Sequence, residues 1–418
     1  MFILDTMLKR LIKKGALTII DADGKSHSYG QGGGYASTIR ITDKATAWKL
    51  LTNPELEFGE AFMDGRVVLE KGDVYDMVAL IMQNIGWSTH IGPLSRVASA
   101  GRKLGRRLAQ YNPAGKSKHN VAHHYDLKDE LFDLFLDSDR QYSCAYFPTP
   151  DITLEEAQAY KKRHIAAKLL LEPGVTVLDI GSGWGGLGLY IANVTKANVT
   201  GITLSEEQHR VSNARAQAAG IADRVRFELV DYRQESRRYD RIVSVGMFEH
   251  VGVNHFDAYF RKIAEMLTEK GVAVIHAIGR SDGPGATNPW IQKYIFPGGY
   301  SPALSEVLPA VERAGLIVTD VEILRLHYAE TLKHWRERFN LRRDQIRALY
   351  DDRFCRMWEL YLASSEATFR WGGHMNFQIQ VAKSLGTVPL TRDYIGEAER
   401  KLPLDLEPIP APSRQAAE

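Results

Sequence analysis

Hydrophobic and polar positions change rhythm once along the chain. Leu17–Asp21 and Lys25–Tyr29 flank the turn Ala22-Asp23-Gly24, which predicts a hairpin, and Ser37–Thr42 alternates as a third strand. Asp43 is placed to cap a helix through Leu51, and Asp73–Ile85 predicts a second helix. Residues 1–90 therefore read as a small α+β unit without a catalytic motif, a recognition domain. From about Asp126 strands and helices alternate, as in a parallel sheet covered on both faces. Strands are predicted at Val175–Ile180, Asn198–Leu204, Val225–Val230, Arg241–Val245, Val272–Ile278 and Ile317–Leu324. Helices fall near Gly186–Asn193, Glu206–Ala219, Asn254–Leu267 and Ser301–Ala314. The last part of this region, which spans 121–401, reads as helical, with Trp358, Tyr361, Phe369 and Trp371 as core. Leu402–Glu418 holds four prolines in 17 residues and reads as a disordered tail.

Composition adds the compartment. A chain of 418 residues, 44% apolar and 25% charged, suits two globular domains and a tail. Its two cysteines, Cys144 and Cys355, give neither a disulfide framework nor a metal cluster, which fits a reducing compartment. No apolar run approaches the roughly 20 residues that span a bilayer, and Met7–Lys14 is too short and basic for a signal peptide. The net charge of +2 conceals an asymmetry: between Asp76 and Asp126 there is no acidic residue, yet Arg96, Arg102, Lys103, Arg106, Arg107, Lys116 and Lys118 lie there. Leu94, Val97, Leu104 and Leu108 recur at near-helical spacing, so residues 91–120 read as a basic amphipathic linker. Anionic lipid would attract it at about 1 kcal/mol per cation. A solvated connector fits the same residues, and nucleic acid would also attract the charge. Gly101 and Gly105 weaken the helix by about 1 kcal/mol each.

The densest motif is Val177-Leu178-Asp179-Ile180-Gly181-Ser182-Gly183-Trp184-Gly185-Gly186, a strand end opening into a helix. Its glycines let a ligand lie against backbone at a helix N-terminus. A dinucleotide site would share the pattern. Three details favour S-adenosylmethionine instead. Asp179 suits the ammonium of a methionine moiety and would repel a pyrophosphate. Asp231, ending the third strand, is placed to accept from an adenine amino group. The second strand ends Thr203-Leu204-Ser205 without the acidic residue that holds an NAD ribose.

Further motifs follow in order: His124-Tyr125-Asp126-Leu127, Tyr142-Ser143-Cys144-Ala145-Tyr146-Phe147, Gly201-Ile202-Thr203-Leu204-Ser205 with Gln208, Met247-Phe248-Glu249-His250-Val251-Gly252, His276-Ala277-Ile278-Gly279, Pro289 to Tyr300, and Tyr328. The whole resembles the cyclopropane-fatty-acyl-phospholipid synthases and their mycolic-acid relatives, over about residues 10–395. That includes the N-terminal part, which the mycolic-acid enzymes lack. The resemblance implies a Rossmann-like class I methyltransferase fold: α/β, with a seven-stranded, mostly parallel sheet. It implies a bicarbonate ion as general base, held by Cys144, Glu249, His276, the backbone of Ile278, and Tyr328. It implies cofactor contacts from Tyr142, Ser143, Gly181, Gly183, Thr203, Leu204, Gln208 and the surroundings of Asp231. Ser182 departs from the cysteine that many relatives carry there.

The chemistry of the residues agrees with this. An alkene is a weak nucleophile, so alignment in a dry pocket matters, and methylation leaves a carbocation that must lose a proton before a ring closes. Tyr142, Tyr294 and Tyr300 offer aromatic faces for that cation. The segment Trp290–Tyr300, with Pro297-Gly298-Gly299, predicts a mobile aromatic loop over an apolar channel. The expected substrate is an unsaturated acyl chain in a phospholipid bilayer, reached peripherally from the cytoplasmic face. Homodimerisation is compatible with this reading. A fatty-acid C-methyltransferase giving a branched chain fits the same motifs. Nucleic-acid methylation does not, because Gly246-Met247-Phe248-Glu249 replaces the Asn/Asp-Pro-Pro-Tyr an amino-methylating enzyme needs. A non-catalytic lipid-binding module would be expected to have lost Glu249, His276 or the glycine loop.

Overall fold

Alternate residues of Gly15–Ile20 (β1) are buried, and this strand organises the N-terminal sheet in the computed structural model, which describes residues 2–87, 127–407 and 409. β1 pairs antiparallel with Ser26–Gly32 (β2) and parallel with Ala36–Ile41 (β3). Val67–Lys71 (β4) completes the order β2-β1-β3-β4. Among the described residues up to 87, four helices accompany the sheet: α1 (Phe2–Leu11), α2 (Lys44–Thr52), α3 (Pro54–Met63) and α4 (Val74–Ile85). α2 and α4 begin where the sequence predicts, with the Asp43 and Asp73 carboxylates accepting from Thr46 N–H at 2.7 Å and Asp76 N–H at 2.6 Å. The patterning did not reveal α3, which has Pro54 in its first turn.

The compact unit built on this sheet does not follow chain order. It also takes in residues 285–297 and 332–374, which the sequence reading places in the catalytic region. Packing explains the difference. Trp290 is buried against Gly59, where a Cβ would lie 2.3 Å from the indole, and its Nε1 faces Met63 Sδ at 3.1 Å. Lys293 Nζ and Tyr294 Oη both donate to Glu60 Oε1, at 2.6 and 2.9 Å. Pro289–Tyr294 is a helix capped by Asn288 where the sequence reading has a loop, and the segment 296–300 with Pro297-Gly298-Gly299 follows without regular structure. The helix Asp352–Trp371 brings Trp358, Tyr361 and Phe369 into the interior of the same unit.

The second unit contains a seven-stranded sheet in the order β10-β11-β9-β8-β5-β6-β7. Its strands are β5 (Thr176–Ile180), β6 (Asn198–Thr203), β7 (Val225–Leu229), β8 (Tyr239–Val245), β9 (Leu267–Arg280), β10 (Ile317–Leu324) and β11 (His374–Ala382). β5 to β9 pair in parallel, and β10 with β11 antiparallel. The covering helices include α5 (Asp129–Phe135), α6 (Leu154–Ala167), α7 (Gly186–Thr195), α8 (Glu206–Ala218) and α9 (Phe256–Met266). Strand order runs outward in both directions from the neighbours β5 and β8, which creates a crevice at their carboxyl ends.

Two expectations change. The final region is not wholly helical, because β11 lies between β9 and β10. Its alternation Asn376-Phe377-Gln378-Ile379-Gln380-Val381 buries both faces: the apolar residues join the core with Leu178, Phe260 and Ile263, and the three amides are also buried. The tail is not free at its start. Pro403 O accepts from Tyr190 Oη at 2.8 Å, Asp405 pairs with Lys162 at 2.7 Å, and Ile409 O accepts from Arg215 Nε at 2.8 Å. The basic amphipathic segment at 94–108 lies outside the described residues.

Candidate active site

Register aligns the chemistry. Ile180 pairs with Ile202 and Ser244, and Val245 with His276. The chain therefore leaves β5, β6 and β8 at one level, with His276 beside it on β9. One pocket opens there. Tyr142, Ser143, Asp179, Gly181, Gly183, Thr203, Leu204, Gln208 and Asp231 all line it, together with Met247, His250 and Trp184.

The glycine loop is shaped by close approach. Gly181 has φ +79°, and a Cβ there would lie 2.9 Å from Met247 Cβ. At Gly186 a Cβ would lie 2.3 Å from both Asp139 Oδ2 and Gln141 Nε2. Asp139 anchors this wall, accepting from Lys162 Nζ at 2.8 Å, from Gln141 Nε2 at 3.0 Å and from Arg215; Arg215 in turn holds Trp184 O at 2.7 Å. Tyr142 sits edge-on to Phe132 of α5 at 5.6 Å, and Phe132 meets Trp184 at 5.1 Å. Ser182 is buried with its Oγ 3.4 Å from Ile202 O.

Asp179 is 2% exposed, and its Oδ2 has no hydrogen-bond partner. Burial pushes its carboxyl up to about 7, with the Lys161 ammonium pulling the other way. An orphaned buried carboxylate needs a cation, and the ammonium of S-adenosylmethionine fits. Thr203 and Gln208 bind each other at 2.8 Å. Asp231 lines the pocket with its carboxylate already accepting from Arg233 Nε at 2.8 Å; it keeps lone pairs for a further donor.

Glu249 lies in a single 3₁₀ turn after β8, between the pocket residues Met247 and His250. Its Oε1 accepts from Ile278 N–H at 2.7 Å, while Oε2 is buried without a partner. Burial raises this carboxyl to about 7, against the pull of the Ile278 N–H. The Tyr300 N–H donates to Glu249 O at 2.9 Å.

His276 is 1% exposed, and burial drives its ring down to about 3, so it is neutral. Gln378 Nε2 lies 3.1 Å from Nδ1, and Gln378 Oε1 is fixed by Lys168 Nζ at 2.7 Å. Gln378 therefore donates to Nδ1 and the proton sits on Nε2. The Asn376 amide is 3.3 Å from Nε2. This tautomer requires its carbonyl oxygen to face the ring, which also gives the unpartnered Asn376 Oδ1 a donor. Sequence reasoning missed both amides, although the period-two alternation of β11 was their signal.

Cys144 is buried, which raises its thiol well above the usual range, and Sγ donates to Ala145 O at 3.3 Å. Ala145 N–H donates to Thr331 Oγ1 at 3.0 Å, in the helix His327–Leu341, whose second residue is Tyr328. The expected cation-facing rings divide. Tyr142 lines the pocket, Tyr300 is core with its hydroxyl on Glu306 Oε2 at 2.6 Å, and Tyr294 belongs to the first unit.

Sheet order, glycine loop and orphan carboxylate together define a class I S-adenosylmethionine-dependent methyltransferase. Within that class the chain belongs to the mycolic acid cyclopropane synthetase family, which it matches over residues 114–379. Residues 3–89 match a second family described as a domain of unknown function, DUF7884. A probable fatty acid methyltransferase of Pseudomonas putida is 37% identical over 342 residues, 80% of this chain and 84% of that one. The cyclopropane-fatty-acyl-phospholipid synthase of Escherichia coli K12 is 35% identical, over 81% of this chain and 86% of that one. The solved mycolic acid cyclopropane synthase CmaA1, complexed with SAH and CTAB, superposes with a TM-score of 0.59 at 34% identity, covering 65% of this chain and 99% of that one. The enzyme thus uses S-adenosylmethionine to modify lipid acyl chains.

Proposed function

We propose that the enzyme adds a methylene unit across the cis double bond of an unsaturated phospholipid acyl chain, closing a cyclopropane ring. The observation that carries this reading is Glu249, a buried carboxyl beside the cofactor pocket with one oxygen on Ile278 N–H and the other unpartnered.

S-adenosylmethionine supplies an electrophilic methyl group when bound. Asp179 would hold its ammonium end, the glycine loop would receive its chain, and Thr203, Gln208 and Asp231, which line the same pocket, would serve its nucleoside. Ring closure then requires a proton to leave the new methyl group, and a bound bicarbonate would supply a small base. Glu249 Oε2 fits the O–H of such an anion, orienting its remaining oxygens. Cys144 and Tyr328 complete the set that the resemblance implies, although the single Cys144 thiol proton is given to Ala145 O. A contact from His276 requires Asn376 to share the Nε2 proton. His276 stays neutral, so it holds an anion by hydrogen bonding without competing for the proton.

A methyl- or methylene-branched product is the second reading, supported by the likeness to the Pseudomonas putida fatty acid methyltransferase. The substrate surface would be an anionic bilayer at the cytoplasmic face of the cell membrane. Among the described residues no helix is long and apolar enough to cross a membrane. Trp87, 59% exposed, lies within the acid-free stretch ahead of its first cation, Arg96, and Trp48 is 63% exposed on α2; exposed tryptophans suit a lipid interface.

The test is the lipid product. Purified protein with S-adenosylmethionine, bicarbonate and unsaturated phospholipid vesicles should give an acyl chain heavier by one CH₂ that resists hydrogenation. A methylene branch has the same mass but takes up hydrogen, and absence of any heavier product refutes both readings.

A further inference from the structure

Behind the cofactor pocket lies a buried ammonium group that no step above uses. Lys161 of α6 is 1% exposed. Its Nζ donates to Gln141 Oε1 and, at 3.0 Å, to Ser143 Oγ, and both residues line the pocket. Among the described residues it makes no ion pair. Its neighbour Lys162 takes Asp139 and Asp405 instead, at 2.8 and 2.7 Å. The nearby Asp137 spends its oxygens on the N–H groups of Asp139 and Gln141, at 3.0 and 2.9 Å. Asp137 and Asp139 act on Lys161 only at longer range, and a buried cation without a direct partner is costly; the same pocket is lined by Asp179, whose Oδ2 is orphaned. A buried cation and a buried carboxylate, neither in a direct ion pair among the described residues, complement a zwitterion. The amino-acid end of S-adenosylmethionine is one, and so far only its ammonium has a partner. Ser143 supplies the link. Its oxygen accepts from Lys161, so its own hydroxyl proton is directed elsewhere, and the pocket is what Ser143 faces.

We infer that Lys161, acting through Ser143, is the positioning residue that makes the pocket select ligands carrying the α-carboxylate. This rests on the cofactor reading and not on the lipid or the ring. Calorimetric titration with S-adenosylmethionine and with decarboxylated S-adenosylmethionine, which keeps the sulfonium and amine but lacks the carboxylate, tests it without turnover. Wild-type protein should prefer the carboxylated ligand. Lys161→Met should weaken that ligand about tenfold or more and leave the decarboxylated one within about threefold, so the preference collapses. Equal loss for both ligands means Lys161 only props up the Gln141–Ser143 segment, and overturns the inference, as does an unchanged preference. Should Lys161→Met fail to fold, Ser143→Ala must collapse the preference in the same way, and its retention overturns the relay. A wild-type protein that binds neither ligand would instead defeat the cofactor reading itself.

Discussion

Replacing Asp179 by Asn separates what this carboxyl costs the fold from what it does for the ligand. Burial raises the group from 3.8 to about 7. The difference of about 3 units, at about 1.4 kcal/mol each, is a cost of about 4 kcal/mol. An unfolded chain ionises Asp179 near 3.8, whereas the folded one does so only near 7. The cost is therefore absent below about pH 4, grows between pH 4 and 7, and is complete above. The Asn variant has no proton to lose and escapes this pH-dependent part. Its buried amide still lacks a partner, so about 4 kcal/mol is a ceiling. Thermal melting without ligand should coincide for the two proteins near pH 4, and the variant should melt higher at pH 8. A gain of several degrees is expected, at about 2 °C or less per kcal/mol in a chain of this size. Binding should move the other way. Wild-type affinity for S-adenosylmethionine rises with pH through about 7, as the carboxyl ionises to meet the ammonium, while the variant binds at least about tenfold more weakly, with a flat pH profile. A variant that melts below wild type at pH 8, or that binds the ligand undiminished, would falsify this reasoning.

Other substitutions probe the rest of the site. Glu249→Gln should cut product formation by about 100-fold or more with S-adenosylmethionine affinity within about threefold. The wild-type rate should climb as pH rises through about 7, where this burial-raised carboxyl ionises; a variant that turns over normally removes the assigned role. Asn376→Leu leaves the buried Nε2–H of His276 unpaired and should cost about 1–3 kcal/mol, read as a lower melting temperature; an unchanged melt would refute the tautomer. Gly186→Ala places a Cβ 2.3 Å from Asp139 Oδ2 and Gln141 Nε2. It should cost about 1–3 kcal/mol and weaken S-adenosylmethionine binding measured by titration.

The cofactor side of this protein was legible because its determinants are local. The glycine loop, Asp179 and Thr203 each sit at the end of a strand whose hydrophobic run shows in the sequence, and Gln208 follows in the first turn of the next helix. Parallel pairing at the register Ile180 to Ile202 and Ser244 then carries those ends to one level. Spacing along the chain could not show what reaches them from afar. β11 enters the sheet beside β9, and only that insertion sets Asn376 and Gln378 on His276, 100 and 102 residues earlier. The aromatic helix before it masked the strand's alternation. Residues 285–297 left the catalytic region for the N-terminal unit as Trp290 buries against Gly59 and Met63, and 332–374 as Arg353 and Arg356 reach Asp64 and Met63 O, matches that no local pattern encodes. Nothing in the sequence pattern singles out Lys161. Tertiary packing removed it from water, and that desolvation makes its charge available to a ligand.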